Sequence, residues 1–492
     1  MVLFELDKCI SSLKLKKVRG EVNINVKNIA YDSRKVKPGS LFVCIKGFKT
    51  DGHLYAENAI KSGASAIVTE RWLNLSSVIP QIQVLNTREA LAVLSNTLFV
   101  NPTSELQLVG ITGTNGKTTT SYLVDSMFRT AGKKTGLTGT VQCKIGDRVL
   151  AVDKTTPESY DLQRLFRDMV NDEVSCATME ISSHGIDLHR IDGCHFNALV
   201  FTNLSQDHLD YHRSMDDYFK TKKKLFDDND DVVRVINVDD SYGRQIVSQG
   251  GKIFCYGLTQ PADIRAEDLK INREGSMFKV LTSTLTLDLS IKLRGLFNVY
   301  NSLAAVGVGL ALGLSPEHIK VGIESVSTIP GRFEAIDCGQ DFSVFVDYAH
   351  TPDGLEKLIS AAREITENRV ITLFGCGGDR DKKKRPLMGA IAGKLSNFTI
   401  ITSDNPRSEE PKKIIKEIEG GLLKETPNAN YRIIIDRKEA IYHAISSAKV
   451  GDVVLVAGKG HEKGQIFGDK TVPFDDRVIV REALRELTLC SK

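Results

Sequence analysis

Eleven residues constrain this chain more than any other stretch: Gly110-Ile-Thr-Gly-Thr-Asn-Gly-Lys-Thr-Thr-Thr120. The run before them, Leu106 to Thr112, has the short apolar composition of a buried strand, and after them Leu123, Val124, Met127 and Phe128 recur at helical spacing. A glycine-rich turn between strand and helix leaves backbone N–H groups converging at the helix N-terminus, where the helix dipole also favours negative charge. Such a turn suits a polyphosphate, with Lys117 bridging the outer phosphates and the Thr118 hydroxyl ligating Mg²⁺. The general phosphate-loop pattern has glycine where this chain has Ile111, so the working spacing is Gly113-x-x-Gly116-Lys117-Thr118. A plain glycine turn with an exposed lysine would explain the composition but not the strand and helix on either side.

At 492 residues the chain exceeds what one core usually holds, so two to four domains are expected. The net charge of +3, from 65 basic and 62 acidic residues, gives no reason to invoke a nucleic-acid partner. Nine cysteines without a C-x-x-C pair point to reduced thiols and a cytoplasmic protein. Glu5 and Asp7 interrupt the first apolar stretch, unlike a signal peptide, and the longest apolar segment, Leu303 to Leu314, is far shorter than the roughly 20 residues of a membrane span. No membrane association is expected, and a monomer is the default.

Turn chemistry at Asn101-Pro102-Thr103-Ser104 and at Ser327-Thr-Ile-Pro-Gly-Arg332 divides the chain into 1–103, 104–328 and 329–492. The first part mixes strand-like runs (Val22–Val26, Leu41–Ile45, Ala66–Thr69) with helical stretches near 54–62 and 87–99. In the second, strands at Leu106–Thr112, Val174–Ile181, Ala198–Thr202 and Val233–Val238 alternate with helical patterns, which implies a mostly parallel sheet. The third repeats the alternation with strands at Ser343–Val346, Val370–Phe374, Thr399–Thr402, Arg432–Ile435 and Val453–Val456. The fold class is therefore α/β. Open sheets of this kind bind ligands at the carboxyl ends of strands. The polar motifs fall there: Glu180-Ile-Ser-Ser-His184, Asn203-Leu-Ser-Gln-Asp-His208, Asp347-Tyr-Ala-His350, Gly375-Cys-Gly-Gly-Asp-Arg380, Asp404-Asn-Pro-Arg407 and Gly458-Lys-Gly-His-Glu462.

Mg²⁺ prefers hard oxygen ligands together with phosphate oxygens. Glu180, closing an apolar strand, is the best carboxylate candidate, with His208 as a candidate for a second ion. Taken singly, Glu180 reads equally well as a capping or surface carboxylate and His208 as a hydrogen-bonded structural histidine. Their shared position after strands beside the phosphate loop favours the metal reading. Lys223 and Lys224, within Lys220-Thr-Lys-Lys-Lys224, read as a solvated helix face.

Thr112-Gly-Thr-Asn-Gly-Lys-Thr-Thr119, Thr155-Thr-Pro157, Glu180 to His184, Asn203 to His208, Gly295-Leu-Phe-Asn298-Val-Tyr-Asn301, Gly331-Arg332 and Asp347 to Pro352, in this order, resemble the Mur ligase family of ATP-dependent amide-bond synthetases. The resemblance runs from about Asp32 to the C-terminal helix. It implies an N-terminal mixed α/β domain holding a uridine nucleotide, a central P-loop-type ATPase domain and a C-terminal Rossmann-like domain. Asp32-Ser33-Arg34 and Gly52-His53 match the family's uridine-site motifs. Gly113, Thr114, Asn115, Gly116, Lys117, Thr118 and Thr119 match the ATP phosphate site, and Asn298, Asn301, Arg332 and Asp347 positions around the adenosine. Thr155, Thr156, Ser182, Ser183 and Arg190 match positions holding the muramoyl-dipeptide end near the γ-phosphate. Aligning Tyr218 and Leu225-Phe226 puts Lys222 at the family's carbamylated lysine (N6-carboxylysine), an anion able to ligate Mg²⁺. One departure is Gly464, which precedes Gln465 where an aromatic is common.

The implied activity is addition of meso-diaminopimelate to UDP-N-acetylmuramoyl-L-alanyl-D-glutamate, with ATP as co-substrate, in peptidoglycan precursor synthesis. A carboxylate is a poor acyl donor, so the γ-phosphate first converts it to an acyl phosphate, which the amine then attacks. Lys117 and two Mg²⁺ ions would neutralise the approaching anions, with Lys117, Glu180, His208 and Lys222 as the catalytic set. In the resemblance, Asp404, Asn405, Arg407, Arg380, Gly458 and Glu462 match positions that hold diaminopimelate. Arg407 offers a fork for the distal carboxylate that L-lysine lacks. If that arginine is buried, leaving it unpaired costs several kcal/mol, about a thousandfold in preference. The alternatives are an L-lysine-adding ligase, folylpolyglutamate synthetase, a P-loop switch or assembly factor, and a non-catalytic binder of the same fold.

Overall fold

The computed structural model describes residues 4–48, 50–75, 79–152, 154–247 and 251–490. By compactness the chain forms two units, one from Met1–Gly110, Lys133–Asn197 and Asp227–Asn229, the other from Ile111–Gly132, Ala198–Phe226 and Asp230–Lys492.

The first unit contains a five-stranded sheet in the order Leu15–Arg19, Gln81–Val84, Ala64–Thr69, Ser40–Val43, Asn28–Ala30. All neighbours pair in parallel except the first. Its parallel strands bury Leu41, Val43, Ala66, Val68, Ile82 and Val84 completely or nearly so, the continuous apolar pattern of a sheet covered on both faces. The helix Thr87–Leu98 starts where expected because the Asn86 side chain accepts from the N–H groups of Arg88 and Glu89. Of the predicted strand Val22–Val26 only Asn25–Val26 pairs, with Phe4–Glu5. The unpredicted strand Leu15–Arg19 is an edge rich in exposed lysine, a polar pattern that hides strand character and protects the edge.

The same unit carries Cys176–Ile181 parallel to Thr135–Thr138, which continues antiparallel into Cys143–Ile145 and Arg148–Leu150. Sequence alternation missed this ribbon. Its signal was local, a two-residue loop led by Gly146 at φ +58° between the paired residues Ile145 and Arg148.

In the second unit the helix Lys117–Thr130 follows the glycine loop. Strands Ala198–Phe201 and Val233–Asn237 run parallel, as expected, and Ile253–Gly257 and Ile264–Ile271, not predicted, join them in parallel. Ser276–Leu281 and Thr286–Ile291 then extend the sheet antiparallel. Thr286–Ile291 alternates exposed and buried residues, so one face meets the core and the other meets water. The helix Leu296–Ala311 is buried along most of its length.

Residues beyond 330 form a six-stranded sheet in the order Glu334–Ala335, Ser343–Asp347, Val453–Ala457, Val370–Phe374, Phe398–Ile401, Tyr431–Ile433. Only the first is antiparallel. The last strand of this sheet in chain order, Val453–Ala457, returns between the second and third, so the strand order reverses there. The loops after Asp347, Phe374, Ile401 and Ala457 all leave carboxyl ends there, the ligand-binding edge of such sheets. All five predicted strands are present with ends shifted by at most two residues.

That edge is braced from behind by an ion pair with both side chains fully buried. Arg437 Nε and Nη2 donate to Asp476 at 2.8 and 2.7 Å, and Nη2 also donates to the Ala457 carbonyl at 2.9 Å. The bond to Ala457 fixes the last residue before Gly458. Asp476→Ala leaves a buried cation without its partner, and we expect about 3–5 kcal/mol of lost stability in urea unfolding. A loss below about 1 kcal/mol would show that the pair is not desolvated in solution.

Candidate active site

Gly113 has φ +150° and a Cβ there would lie 1.9 Å from Thr202 Oγ1; Gly116 has φ +87° and its Cβ would lie 2.5 Å from Asn301 Oδ1. Both glycines are required. Ile111, by contrast, is fully buried within the strand Gln107–Thr112, so the first glycine of the general pattern would fall inside the core here. The loop is held from behind: Thr202 Oγ1 donates to the Asn115 carbonyl at 2.6 Å, and Asn203 Oδ1 accepts from Asn115 N at 2.9 Å. The helix Lys117–Thr130 has no side-chain cap, a condition that suits an anion at its first-turn N–H groups.

Lys117 Nζ folds back onto the carbonyls of Gly113 and Thr114 at 2.9 and 2.8 Å. Lys222, on the helix Met215–Asp227, sends its Nζ to the same Gly113 carbonyl at 3.0 Å and to Thr112 Oγ1 at 3.3 Å, and is 1 % exposed. Burial, and then the charge of Lys117, pushes the Lys222 amine well below the ordinary lysine range, with Asp207 opposing. On the same helix Lys224 is exposed, as its reading as a solvated face requires, whereas Lys223 is half-buried. His208 sits at φ +54° with Nε2 3.4 Å from Asp207 Oδ2. Enclosure, opposed by Asp207 and aided by the charge of Lys117, lowers its imidazole to about 4, although the side chain keeps 39 % of its surface. That direction favours the neutral ring near pH 7. Burial would raise Asp207, but the charges of His208, His350 and Lys384 outweigh it and hold the carboxyl at about 2.

Residues on the far side of the Ser327–Arg332 break reach this loop. Arg332 Nη2 donates to Thr118 Oγ1 at 3.0 Å while its guanidinium lies 4.8 Å from the Tyr348 ring centroid. Asp353 Oδ2 accepts from Asn115 Nδ2 at 2.7 Å and from Ser205 Oγ at 3.0 Å. Asn301 Nδ2 donates to Asn298 Oδ1 at 3.1 Å from one face of their helix. Asp347 accepts from the N–H groups of Phe333 and Ala349, both at 2.6 Å, so its first task is to shape the turn carrying Arg332. Sequence reasoning did not single out Asp353. Its only signal was an acid in the first turn of the helix Pro352–Glu364, which reads as ordinary dipole compensation.

At the edge of the C-terminal sheet, Gly458 at φ +113° leaves room for Asp404, whose Oδ2 would stand 2.7 Å from a Cβ there. Asn405 donates to Glu462 Oε2 at 2.8 Å, and Lys459, fully buried, donates to Asn405 Oδ1 at 3.0 Å and Glu462 Oε2 at 2.9 Å. Lys459 was not predicted as a site residue; it lay inside the motif without a partner visible in sequence. Arg407, at φ +51°, donates through Nη1 to the Gly378 carbonyl at 2.8 Å. It is half-buried, so the condition of full burial set for the thousandfold preference is not met. Among the described residues no carboxylate lies within 4.0 Å of its guanidinium. Arg380, exposed, bonds its neighbour's carbonyl through Nη1, and enclosure together with its charge lowers the pKa of Arg407. Gly464 lies against Thr471, whose Cγ2 would be 2.7 Å from a Cβ, and Gln465 donates to the Asp404 carbonyl at 2.7 Å; the small residue suits this hairpin.

The remaining predicted residues lie in the first unit. Glu180 is 1 % exposed, and Thr140 holds its carboxylate at both oxygens, through N and Oγ1, each at 2.9 Å. A Cβ at Gly139 would lie 2.2 Å from Glu180 Oε1. Thr140 Oγ1 is 3.0 Å from Thr155 Oγ1. Thr156 Oγ1 lies 3.2 Å from Ser182 Oγ, while Arg190 donates to the Thr156 carbonyl at 3.0 Å and pairs with Glu158 at 2.8 Å. Ser183 is buried at the start of the short helix Ser183–Asp187. Thr140 was missed because nothing in its neighbourhood, Gly139 to Gln142, marks a site. Ser33 opens a 3₁₀ turn capped by Asp32. His53 is buried with Nδ1 2.6 Å from Asp51 and Nε2 accepting from Glu70 N at 3.0 Å, a structural arrangement that uses both ring nitrogens.

A strand–Gly-x-x-Gly-Lys-Thr–helix loop beside a Rossmann-like sheet defines a nucleotide-binding α/β protein. Models of the Mur ligase family, catalytic domain, the Mur ligase middle domain and the Mur ligase, glutamate ligase domain match residues 25–105, 111–309 and 331–460, and the chain belongs to the Mur ligase family. It is 49 % identical over 470 residues to the UDP-N-acetylmuramoyl-L-alanyl-D-glutamate--2,6-diaminopimelate ligase of Caldanaerobacter subterraneus subsp. tengcongensis, covering 95 % of this chain and 97 % of that one. A Clostridium acetobutylicum protein of the same name, numbered 1, is 45 % identical, covering 98 % and 100 %. A solved UDP-N-acetylmuramoyl-L-alanyl-D-glutamate--2,6-diaminopimelate ligase superposes with TM-score 0.69 at 30 % identity over 99 % of this chain and all of that one. A MurF ligase from Thermotoga maritima in complex with ADP shares the fold at TM-score 0.62 and 19 % identity, covering 94 % and 97 %. Among the described residues no helix is long and apolar enough to cross a membrane.

Proposed function

We propose that this protein is an ATP-dependent ligase that joins meso-diaminopimelate to the D-glutamyl carboxylate of UDP-N-acetylmuramoyl-L-alanyl-D-glutamate, working in the cytoplasm as a monomer. The observation that carries the reading is the half-buried Arg407 guanidinium, without a carboxylate partner among the described residues, beside a network of Asp404, Asn405, Lys459 and Glu462. It is supported by relatives bearing that enzyme's name over nearly the whole chain. The division at 1–103, 104–328 and 329–492 is part of the proposal.

The loop Gly113–Thr119 takes the ATP phosphates, and Asn298, Asn301, Arg332 and Asp347 surround the adenosine. Ser33, Thr155, Thr156, Ser183 and Arg190 hold the UDP-linked substrate. Lys117 releases its two backbone carbonyls and turns to the γ-phosphate, where its charge offsets the approach of two anions. Transfer breaks the bond between the γ-phosphorus and the β,γ-bridging oxygen and forms an acyl phosphate and ADP. The amine of the diamino acid then attacks the acyl carbon, phosphate leaves, and one proton is lost to solvent or base.

The residues also fit Mg²⁺. Among the described residues no three His, Cys, Asp or Glu side chains converge as a ready-made metal site. In the second unit the donors are the Thr118 hydroxyl, His208 and Lys222, whose amine burial pushes toward the neutral form, the form that can add CO₂, lose a proton and become a carbamate; in the first unit the candidate donor is Glu180. Bound there, Mg²⁺ would supply charge neutralisation on the phosphoryl oxygens.

Phosphate release measured with each substrate omitted in turn tests the reading. Release should require both the UDP-muramoyl dipeptide and meso-diaminopimelate; release without any acceptor would support a switch NTPase instead. Partial exposure of Arg407 reduces the expected preference over L-lysine to about a hundredfold in kcat/KM, about 3 kcal/mol. Arg407→Ala should remove it, mainly through KM. Equal kcat/KM for the two amino acids in the parent enzyme would overturn the diaminopimelate assignment and leave the ligase standing.

A further inference from the structure

Arg407 and Glu409 stand two residues apart, with opposite charges, yet they do not pair. Each bonds the same peptide unit from opposite ends: Arg407 Nη1 donates to the Gly378 carbonyl at 2.8 Å, and Glu409 Oε1 accepts from Asp379 N at 2.7 Å. Bond lengths alone keep the two charged groups within about 8 Å of each other. A rotamer change would let the carboxylate close on the guanidinium.

Glu409 is prevented from doing so by Arg385. This guanidinium, on the helix Lys384–Leu395, is fully buried and takes both Glu409 oxygens, Nη2 to Oε1 at 2.9 Å and Nη1 to Oε2 at 3.0 Å. Nη1 also reaches Glu417 Oε2 at 3.0 Å, and Nη2 donates to the Gly377 carbonyl at 3.2 Å. The bidentate geometry is the strong form of the interaction. Lys382, at 3.4 Å and mostly exposed, adds a weaker attraction. One arginine therefore holds both loops that carry the candidate amino-acid ligands, Gly375–Arg380 through Gly377 and Asp404–Arg407 through Glu409.

We infer that Arg385 is a specificity-determining positioning residue: by sequestering Glu409 it keeps Arg407 open for the distal carboxylate of the amino-acid substrate. Specificity is a difference between affinities, and an internal carboxylate on Arg407 would abolish the difference from both sides. It would compete with the dicarboxylic substrate and would attract the ammonium of L-lysine. The inference rests on the diaminopimelate reading proposed above.

The test is steady-state kinetics with meso-diaminopimelate and L-lysine on four full-length proteins: the parent, Arg385→Gln, Glu409→Gln and the double variant. Arg385→Gln should raise KM for meso-diaminopimelate about thirtyfold while kcat changes less than about threefold, and should raise kcat/KM for L-lysine. Glu409→Gln alone should keep the parental preference. The double variant, which has lost more contacts than either single, should recover the parental KM to within about threefold, because the competing charge is gone. A role in loop packing alone would make the double variant at least as poor as Arg385→Gln. That result, or unchanged selectivity in Arg385→Gln, overturns the inference. If Arg385→Gln does not fold, Arg385→Lys keeps a cation but not the fork and should show a smaller shift in the same direction; parental selectivity in Arg385→Lys would then overturn the inference. A parent enzyme without preference would instead refute the substrate assignment.

Discussion

Lys117→Ala is expected to lower kcat for amide synthesis by about a thousandfold or more, about 4 kcal/mol of transition-state stabilisation, with a much smaller effect on ATP affinity. Phosphoryl transfer to a carboxylate brings two anions together, and charge must be neutralised at the equatorial oxygens as it redistributes. Lys117 occupies the first position of the helix Lys117–Thr130, and its Nζ donates to the carbonyls of Gly113 and Thr114. Those bonds are exchangeable for phosphate oxygens at little structural expense. The backbone N–H groups of the loop remain in the variant, which is why nucleotide binding should survive. Single-turnover measurement of ADP formation with saturating ATP and UDP-muramoyl dipeptide separates the chemical step from binding. A rate within tenfold of the parent would mean that the loop is structural and that the phosphates bind elsewhere.

Lys222→Ala is expected to lower synthesis by about a hundredfold to a thousandfold. An ammonium buried beside a second ammonium, both directed at the Gly113 carbonyl, is an unfavourable arrangement. Converting Lys222 to a carbamate replaces repulsion of Lys117 by attraction and makes an oxygen ligand. Burial shifts the amine toward its neutral form, the form able to react with CO₂. Three observations would separate this from a packing role. Lys222→Ala should regain part of its activity with added formate or acetate, the parent should carry 44 Da of extra mass at Lys222 under non-acidic conditions, and Lys223→Ala should remain near parental activity. An unmodified amine at Lys222 in the active enzyme would remove the carbamate from the scheme.

Much of the site was legible in the sequence because the chemistry demanded particular residues at short spacing. Gly113 and Gly116 announce close approach and positive φ, and Lys117 and Thr118 follow within the same turn. The strands of the C-terminal sheet were legible because parallel strands covered on both faces are continuous apolar runs, as Val370–Phe374 is. Where the sheet is exposed on one side or ends at an edge, this signal fails. Thr286–Ile291, with only alternate residues buried, and Leu15–Arg19, nearly all exposed, went unread for that reason.

What the sequence by itself determined is the order of domains, the glycine-rich strand–loop–helix unit and the set of polar motifs at strand ends, since each depends on residues within a few positions of one another. What only the tertiary structure decided is pairing. Asp353 meets Asn115 across 238 positions, Arg332 meets Thr118 across 214, and Lys459 meets Asn405 across 54. The case of Arg407 is clearest. In sequence its obvious partner is the neighbouring acid Glu409, and no local rule forbids the pair. The fold places Arg385 against Glu409 in a buried bidentate geometry, and that long-range choice leaves the Arg407 guanidinium without a carboxylate partner among the described residues.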